Sequence, residues 1–320
     1  MSAKRKYDLY NQPGLFDSLN EPEETLDVFL QQDKTENANS DKRLRFISFG
    51  SGSSGNCAYI GNNEAGFLID AGVNEKTVVD ELRRNCIDIK NILGIIITHD
   101  HSDHVSYAYK LLRSNRHLAL YCTPKTLNGI LRRHNISRRI KDYHHPIYKE
   151  IPFKIKGFEI TPFEVSHDGT DNSGFLIEWD KHRFVVATDM GYIGERAEHY
   201  IRMATSLMIE SDYDDYMLRT GRYPEYLKAR IMANKGHLEN TQVANFIMGI
   251  WNESLTHIFL CHLSEQNNKP ELARNAIAKA LMAAGASQIG DGTETIESRQ
   301  APVQLYVLPR FESSHLFYIR

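Results

Sequence analysis

The sequence is poor in cysteine and lacks any recognisable export or membrane signal. Its four cysteines, at positions 57, 86, 122 and 261, do not have the paired spacing of a zinc finger. The basic N-terminus is not followed by the apolar stretch of a signal peptide, and no apolar run approaches membrane-spanning length. We therefore expect a soluble cytoplasmic protein with reduced cysteines and no membrane contact.

A strong charge of either sign is also missing. The 38 Lys and Arg residues nearly balance the 41 Asp and Glu residues, and the formal net charge is −3. A nucleic-acid-binding function would therefore need a local basic patch rather than an overall positive charge. With 320 residues, 41% of them hydrophobic, the chain is long enough to bury one large core.

Residues 1–44 are polar and acidic with scattered apolar islands, which predicts a flexible extension before a folded domain over residues 45–320. Within this extension, Gln12, Leu15 and Phe16 are similar to the short peptides that dock on bacterial sliding clamps. Such docking would bring the protein to replicating or repaired DNA. A turn with a small apolar anchor is the alternative interpretation, because so short a pattern arises easily by chance.

Potential metal ligands are concentrated in residues 98–104, which contain three histidines and two aspartates. The stretch follows an apolar, β-branched run at 92–97 that predicts a buried strand. His99 and His101 are two residues apart, so on an extended backbone they point the same way. Asp103 and His104 come where a helix should begin and can reach a second ion. The pattern therefore predicts a two-ion metal site.

Further polar residues stand at or just after the ends of predicted strands. Strand ends of a layered sheet structure gather at one edge, where α/β folds build their sites. Each residue alone has an ordinary explanation as a turn or core residue, but their recurrence favours one shared site. The residues are Asp70, His99, His101, His167, Asp189 and His262.

The hydrophobic pattern between these residues predicts several helices and two late strands. Asn74 and Thr123 are expected to cap helices, the second with Pro124 at its first position. Further helices are expected over 105–113 and from Pro270 to Gly285, and strands over 303–307 and 316–319.

With these motifs in view, the sequence resembles the metallo-β-lactamase superfamily over residues 46–263, and within it the YycJ/WalJ-like branch of nuclease-like bacterial proteins. The matching stretches are 50–56, 98–104, 210–212, 221–224, 236–238 and 262–268. The resemblance implies an α/β fold of the αββα type, a four-layer sandwich in which two facing sheets are covered by helices.

The resemblance also implies a metal-ligand set for two divalent ions. In that assignment His99, His101 and His167 hold one ion, Asp103, His104 and His262 hold the other, and Asp189 bridges them. Asp70 would orient a metal-bound histidine rather than bind metal. A set of His and Asp ligands suits zinc, manganese and iron alike.

Two adjacent ions can hold a shared hydroxide as nucleophile and neutralise charge on a phosphoryl or acyl oxygen. Phosphodiester cleavage also needs a proton for the leaving oxygen. By resemblance, His237 would supply this proton; a surface histidine at a helix start is the alternative. We therefore expect a metal-dependent phosphodiesterase, an exonuclease-like enzyme acting on DNA, with Asp103, His237 and Asp70 as catalytic residues. A thioesterase- or lactonase-like acyl hydrolase is the alternative enzyme, whereas the complete ligand set argues against a non-enzymatic binding module.

Seven residues are candidates for substrate contact. They are Ser53 and Asn56 in a Gly/Ser loop, Arg132, Arg133 and Arg222 in basic clusters, and Asn267 and Asn268 after His262. The basic clusters, at 132–141 and 219–230, are candidates for gripping a phosphate backbone. A plain hairpin loop and solvated helix faces are the alternative interpretations of these segments.

Overall fold

Two mixed sheets form the centre of the protein in a computed structural model that describes residues 42–291, 298 and 300–319. The strands of the first sheet are β1 (Leu44–Gly50), β2 (Cys57–Gly61), β3 (Gly66–Ile69), β4 (Ile92–Ile96), β5 (Ala119–Cys122), β6 (His144–Pro146) and β15 (Phe317–Ile319). They lie in the order β15–β1–β2–β3–β4–β5–β6. The strands from β3 to β6 run parallel to one another.

The second sheet contains β7 (Phe153–Ile155), β8 (Phe158–Glu164), β9 (Ser173–Trp179), β10 (His182–Ala187), β11 (Ser206–Glu210), β12 (His257–Cys261), β13 (Ile289–Gly290) and β14 (Val303–Val307). Their order is β13–β14–β12–β11–β10–β9–β8–β7. Because β10, β11, β12 and β14 are parallel, their carboxyl ends meet at one edge.

The helices are α1 (Glu75–Arg84), α2 (Ser102–Val105), α3 (Ala108–Ser114), α4 (Pro124–Arg133), α5 (Glu195–Ile201), α6 (Asp215–Thr220), α7 (Glu225–Ile231), α8 (Asn240–Ile250) and α9 (Pro270–Ala283). Short 3₁₀ turns cover Ile89–Asn91 and Arg138–Tyr143. Within the described residues, none of the helices has both the length and the apolar character needed to cross a bilayer.

Alternating side chains on the strands build three hydrophobic layers. On β1, Phe46 faces the second sheet and packs against Phe259 with ring centroids 4.6 Å apart, whereas Ile47 belongs to the core under α1, α3 and α4. On β11, Leu207 and Ile209 belong to the core under α5, α8 and α9. The predicted αββα sandwich is therefore confirmed.

The predicted caps and late strands agree with the structure. The side chains of Asn74 and Thr123 accept N–H groups in the first turns of α1 and α4. The strand predicted over 303–307 is β14, and it lies between β12 and β13.

The helix predicted over 105–113 is confirmed from Ala108 onward as α3, but its predicted start is wrong. Val105 ends the separate helix α2, and the Tyr107 N–H donates to the Ala71 carbonyl (2.8 Å) between the two helices. The predicted extension at 1–44 lies outside the described residues except for its last three positions. Leu44, the last of these, is the first residue of β1 and is buried.

Candidate metal centre and active site

The predicted site residues meet at the carboxyl edge of the two sheets. Residues 98–104 follow β4, Asp70 follows β3, Asp189 comes two residues after β10, and His262 follows β12. Asp70, Asp189 and His262 all have a left-handed backbone, with φ of 59°, 54° and 53°. This conformation is costly for residues other than glycine and recurs where functional geometry requires it.

One group of ligand atoms comes from three imidazoles. His99, His101 and His167 each offer a ring nitrogen, and these nitrogens lie within 4.8 Å of one another. The His101 Nδ1 atom is 3.3 Å from the His167 Nε2 atom. The geometry therefore brings together the three residues that were predicted to hold the first ion.

A second group adjoins the first through Asp189. Its members are Asp103, His104, Asp189 and His262. The Asp189 Oδ2 atom lies 3.0 Å from His104 Nε2 and 3.3 Å from His99 Nε2, so this carboxylate contacts both groups. Gly72 packs so closely on the backbone of Asp103 that a Cβ there would collide with the Asp103 carbonyl oxygen. The loop after β3 thereby fixes the position of Asp103.

Asp70 lies outside both groups and contacts two residues of the stretch 98–104. Its Oδ2 atom accepts the His104 Nδ1–H at 2.7 Å and the Thr98 hydroxyl at 2.8 Å. The same hydroxyl oxygen lies 3.0 Å from His99 Nδ1. Such contacts would hold the imidazoles in the tautomer and orientation in which the opposite nitrogen is free to bind a metal. The orienting role of Asp70 stays a prediction, and these contacts are the ones that it requires.

The donor set fits a divalent metal. The Nε2 atoms of His99 and His262 are buried and have no hydrogen-bond partner among the described residues. They lie 3.3 Å from Asp189 Oδ2 and 3.6 Å from Asp103 Oδ2, respectively. Burial and the neighbouring His104 hold the pKa of His99 well below its usual value, which favours the neutral imidazole that metal binding needs. Burial disfavours ionisation of Asp189, but the surrounding His262 and His104 outweigh it and keep its pKa well below the usual range. Imidazole and carboxylate donors of this kind bind divalent transition metals.

A histidine–carboxylate pair, His237 and Glu210, lies beside these two groups. The His237 Nδ1–H donates to the buried Glu210 carboxylate at 2.6 Å, and the other Glu210 oxygen accepts the N–H groups of Met190 and Leu238. The His237 ring stacks on that of His262, with centroids 5.1 Å apart. Burial lowers the pKa of His237, but Glu210 and Asp212 raise it more, to about 9. His237 therefore carries a proton next to the candidate metal ligands in the metal-free chain.

Sequence reasoning missed two residues that shape the site. Glu210 lies in the matching stretch 210–212 but was given no role, yet it accepts a hydrogen bond from His237 and lies 3.3 Å from His262 Nδ1. Asp168 was overlooked, although its Oδ1 atom lies 3.2 Å from His101 Nε2 and its other oxygen pairs with Arg230 at 2.7 Å. Both were detectable by the rule that found the ligands, because Glu210 ends β11 and Asp168 is adjacent to His167.

A cleft of about 240 Å³ opens over the two groups. Ser53, Tyr223 and Arg230 line it together with the candidate ligands. Ser53 is therefore placed where a substrate contact was predicted.

The predicted substrate contact of Asn56 does not agree with its surroundings. Its side-chain amide lies 3.0 Å from Asp103 Oδ2, while its oxygen accepts the Gly52 N–H at 2.8 Å. Asn56 is buried and ties the Gly/Ser loop to a candidate ligand. We therefore correct its expected role from substrate contact to support of Asp103.

Asn267 and Asn268 are also buried beneath the site rather than exposed in the cleft. The Asn268 amide donates to the carbonyls of Ser211 and Asp212, and that of Asn267 lies 3.3 Å from the Ser264 hydroxyl. Both side chains hold the loop that follows β12. Their predicted contact with substrate is therefore corrected to this structural role.

The basic clusters are only partly available to a ligand. The Arg133 guanidinium is 3.3 Å from the buried Asp100 carboxylate, and Arg132 donates to the Thr170 hydroxyl. These contacts brace the loop between His99 and His101, whereas contact with DNA was expected. Arg222 is exposed.

Residues 66–256 match the family model described as the beta-lactamase superfamily domain. Exodeoxyribonuclease YycJ of Bacillus anthracis is 33% identical over 239 residues, which is 74% of this chain and 89% of that protein. Exodeoxyribonuclease WalJ of Streptococcus pneumoniae serotype 2 is 30% identical over 247 residues, 76% of this chain and 91% of that protein.

The chain belongs to the YycJ/WalJ-like branch of the metallo-β-lactamase superfamily. Among solved structures, the metallo-β-lactamase fold protein YhfI from Bacillus subtilis matches with a TM-score of 0.59 and 12% identity. The match covers 87% of this chain and 100% of YhfI, and it shows a shared metallo-β-lactamase fold.

Proposed function

We propose that this protein is an exodeoxyribonuclease that hydrolyses phosphodiester bonds of DNA with the help of two divalent metal ions. The observation that carries the proposal is the His237 imidazole, which is held on Glu210 at 2.6 Å and contacts the rings of His167 and His262, one from each ligand group. Two relatives named exodeoxyribonucleases, each aligned over about three quarters of this chain, support DNA as the substrate.

Seven side chains would hold the ions. We assign His99, His101 and His167 to one ion, Asp103, His104 and His262 to the other, and Asp189 to both. When bound, the ions would activate water and neutralise negative charge on the phosphoryl group. We favour zinc or manganese, while iron has the same donor preferences.

His237 serves as the general acid in this proposal. His237 lines the cleft, and its Nε2–H, the ring N–H that is not bonded to Glu210, would give its proton to the oxygen that leaves as the P–O bond breaks. Glu210 stabilises the imidazolium before this transfer, since a carboxylate acceptor strengthens the bond to a charged donor. Arg230, held by Asp168 at the cleft wall, is placed to bind a phosphate oxygen.

A cleavage assay with metal-defined protein tests the proposal. DNA labelled at the 5′ end or the 3′ end is incubated with metal-loaded chain, metal-stripped chain and Asp189→Ala. We expect only the metal-loaded chain to degrade DNA, with mononucleotides appearing from one end at the earliest times. Intact DNA with a chain that carries metal would refute the proposal, and turnover of a thioester or lactone would then favour the acyl hydrolase.

We further infer that the enzyme acts in the cytoplasm, since its four cysteines are free thiols, which persist in reducing compartments. The clamp-docking peptide with Gln12, Leu15 and Phe16 lies outside the described residues and stays a prediction. A pull-down with purified clamp that is unchanged by the double substitution Leu15→Ala/Phe16→Ala would rule it out.

A further inference from the structure

We propose that the two short helices next to the cleft form a stacking platform for single-stranded DNA, with Tyr226 as its main contact. The inference rests on the proposed function, because the strand on this platform would be the unpaired part of the substrate beside the end being cut. The platform consists of α6, α7 and the loop 221–224 between them.

Two tyrosines of the platform are unusually exposed. Tyr226 is 77% exposed and Tyr216 is 75% exposed, the highest values among the large hydrophobic side chains of the described residues. Aromatic rings left in water are typical of binding surfaces, and nucleobases stack on such rings whatever their sequence. A role in the core is excluded for both side chains.

Helix α7 connects Tyr226 directly to the cleft. Leu227, Arg230 and Ile231 line the cleft from one face of the helix. Tyr226 precedes Arg230 by four residues, so the two side chains are neighbours on the helix surface. A strand that leaves the cleft past Arg230 would therefore meet the Tyr226 ring next.

The platform is fixed relative to the proposed general acid. The buried Lys228 ammonium donates to the Arg219 carbonyl at 2.8 Å and joins α7 to the end of α6. At the other end of α7, the Ile231 carbonyl accepts the His237 N–H at 2.9 Å. The Tyr226 ring is thus carried on an element that is anchored at the site.

Charge on the platform suits a phosphate backbone. Lys228 is buried and paired with Glu225, so it is not available to a ligand. Arg219 and Arg230 form ion pairs with Asp215 and Asp168, but both arginine side chains are at least 60% exposed, and ion pairs at the surface are weak. The exposed Arg222 side chain makes no hydrogen bond or ion pair within the described part of the chain, and Arg230 stands at the cleft wall. Exposed aromatic rings interleaved with arginines are the usual components of a single-strand binding surface.

A duplex offers far fewer base faces to the same surface. Internal paired bases are stacked on one another and hide their faces, so away from the terminal pair only an unpaired base can lie on Tyr226. The platform therefore predicts that binding distinguishes single-stranded from blunt double-stranded DNA through this ring.

Fluorescence anisotropy of full-length, metal-loaded protein tests the platform. The probe is oligothymidylate of about 12 nucleotides with phosphorothioate linkages that resist cleavage. We expect Tyr226→Ala to weaken binding roughly 5- to 150-fold, from the contribution of one stacked base. Tyr226→Phe, which keeps the ring, should stay within about twofold of the wild type.

Tyr318→Ala is the matched control. Tyr318 is also exposed, but it lies on β15, opposite Arg45 of β1 and away from the cleft. This variant should bind like the wild type. Unchanged binding by Tyr226→Ala, or an equal loss with a blunt duplex, would overturn the platform.

The proposed phosphodiesterase activity is tested by a separate measurement of cleavage. If the metal-loaded wild type leaves both DNA and bis(p-nitrophenyl) phosphate intact, the phosphodiesterase is refuted. The anisotropy measurement does not depend on cleavage, so it decides the platform in either case.

Discussion

Replacing His237 should reduce hydrolysis of DNA far more than hydrolysis of a substrate whose leaving group needs no proton. In DNA the leaving oxygen is a sugar alkoxide, which is too basic to depart without protonation. A positioned general acid contributes about 10²- to 10⁴-fold, or roughly 2.7–5.4 kcal/mol of barrier. We expect His237→Ala to lower kcat on DNA by a factor in this range.

Bis(p-nitrophenyl) phosphate provides the comparison, because p-nitrophenolate leaves as a stable anion. His237→Ala should lower kcat on this substrate by less than about tenfold, since the ligand groups are intact. Glu210→Gln should follow the same pattern with a smaller loss on DNA. Its amide oxygen can still accept the Met190 and Leu238 N–H groups, but its NH₂ group faces His237 Nδ1 and cannot stabilise an imidazolium.

Steady-state kinetics on both substrates, with metal content measured for each variant, separates the possible roles. His117→Ala is the matched control, because the side chain of this exposed histidine is hydrogen-bonded only to the Ile89 carbonyl among the described residues. An equal loss on both substrates would show that His237 acts through the metal site or the fold. No loss on DNA would refute its role as the acid.

Three further outcomes follow from individual contacts. Asp70→Ala should weaken metal binding about 10- to 100-fold in a titration against a competing chelator, and unchanged affinity would contradict its orienting role. Burial lowers the pKa of His104, but Asp189 and Asp70 raise it well above its usual value, so metal binding near pH 7 should release protons. Calorimetry in buffers of different ionisation enthalpy measures this release, and equal heats in all buffers would argue against it. Burial and the nearby His182 lower the pKa of His257 to about 4. Protonation of His257 therefore favours the unfolded chain, and the free energy of unfolding falls as the pH drops from about 6.5 toward 4. Urea unfolding should show about 2 kcal/mol of this loss between pH 7 and pH 5, and His257→Gln should lack it.

Local patterns were sufficient to predict most elements and the ligand residues. The strands predicted over 92–97 and 303–307 match β4 and β14 to within one residue, because apolar runs with sharp polar ends are local signals. The ligands were detectable for the same reason, since each follows such a run. The arrangement of the strands as two facing sheets was different: the pattern was compatible with it, but only the family resemblance predicted it.

The sequence could not show contacts between distant segments. Asp168 and Arg230 are 62 residues apart, and nothing local indicates that they pair beside His101. Nor could the sequence show which polar side chains are buried. Asn56 and Asn268 looked like substrate contacts because they lie in matching motifs, yet their amides bond to a candidate ligand and to backbone carbonyls. A motif identifies residues of a site without saying which of them face the substrate.

Activity measured against metal occupancy tests the central claim most directly. Stripped protein would be titrated with Mn²⁺, and bound metal per chain would be determined at each step alongside the rate of DNA degradation. We predict that the rate rises with filling of both ligand groups and reaches its plateau at two ions per chain. A plateau at one ion, or degradation by the stripped protein, would contradict the account.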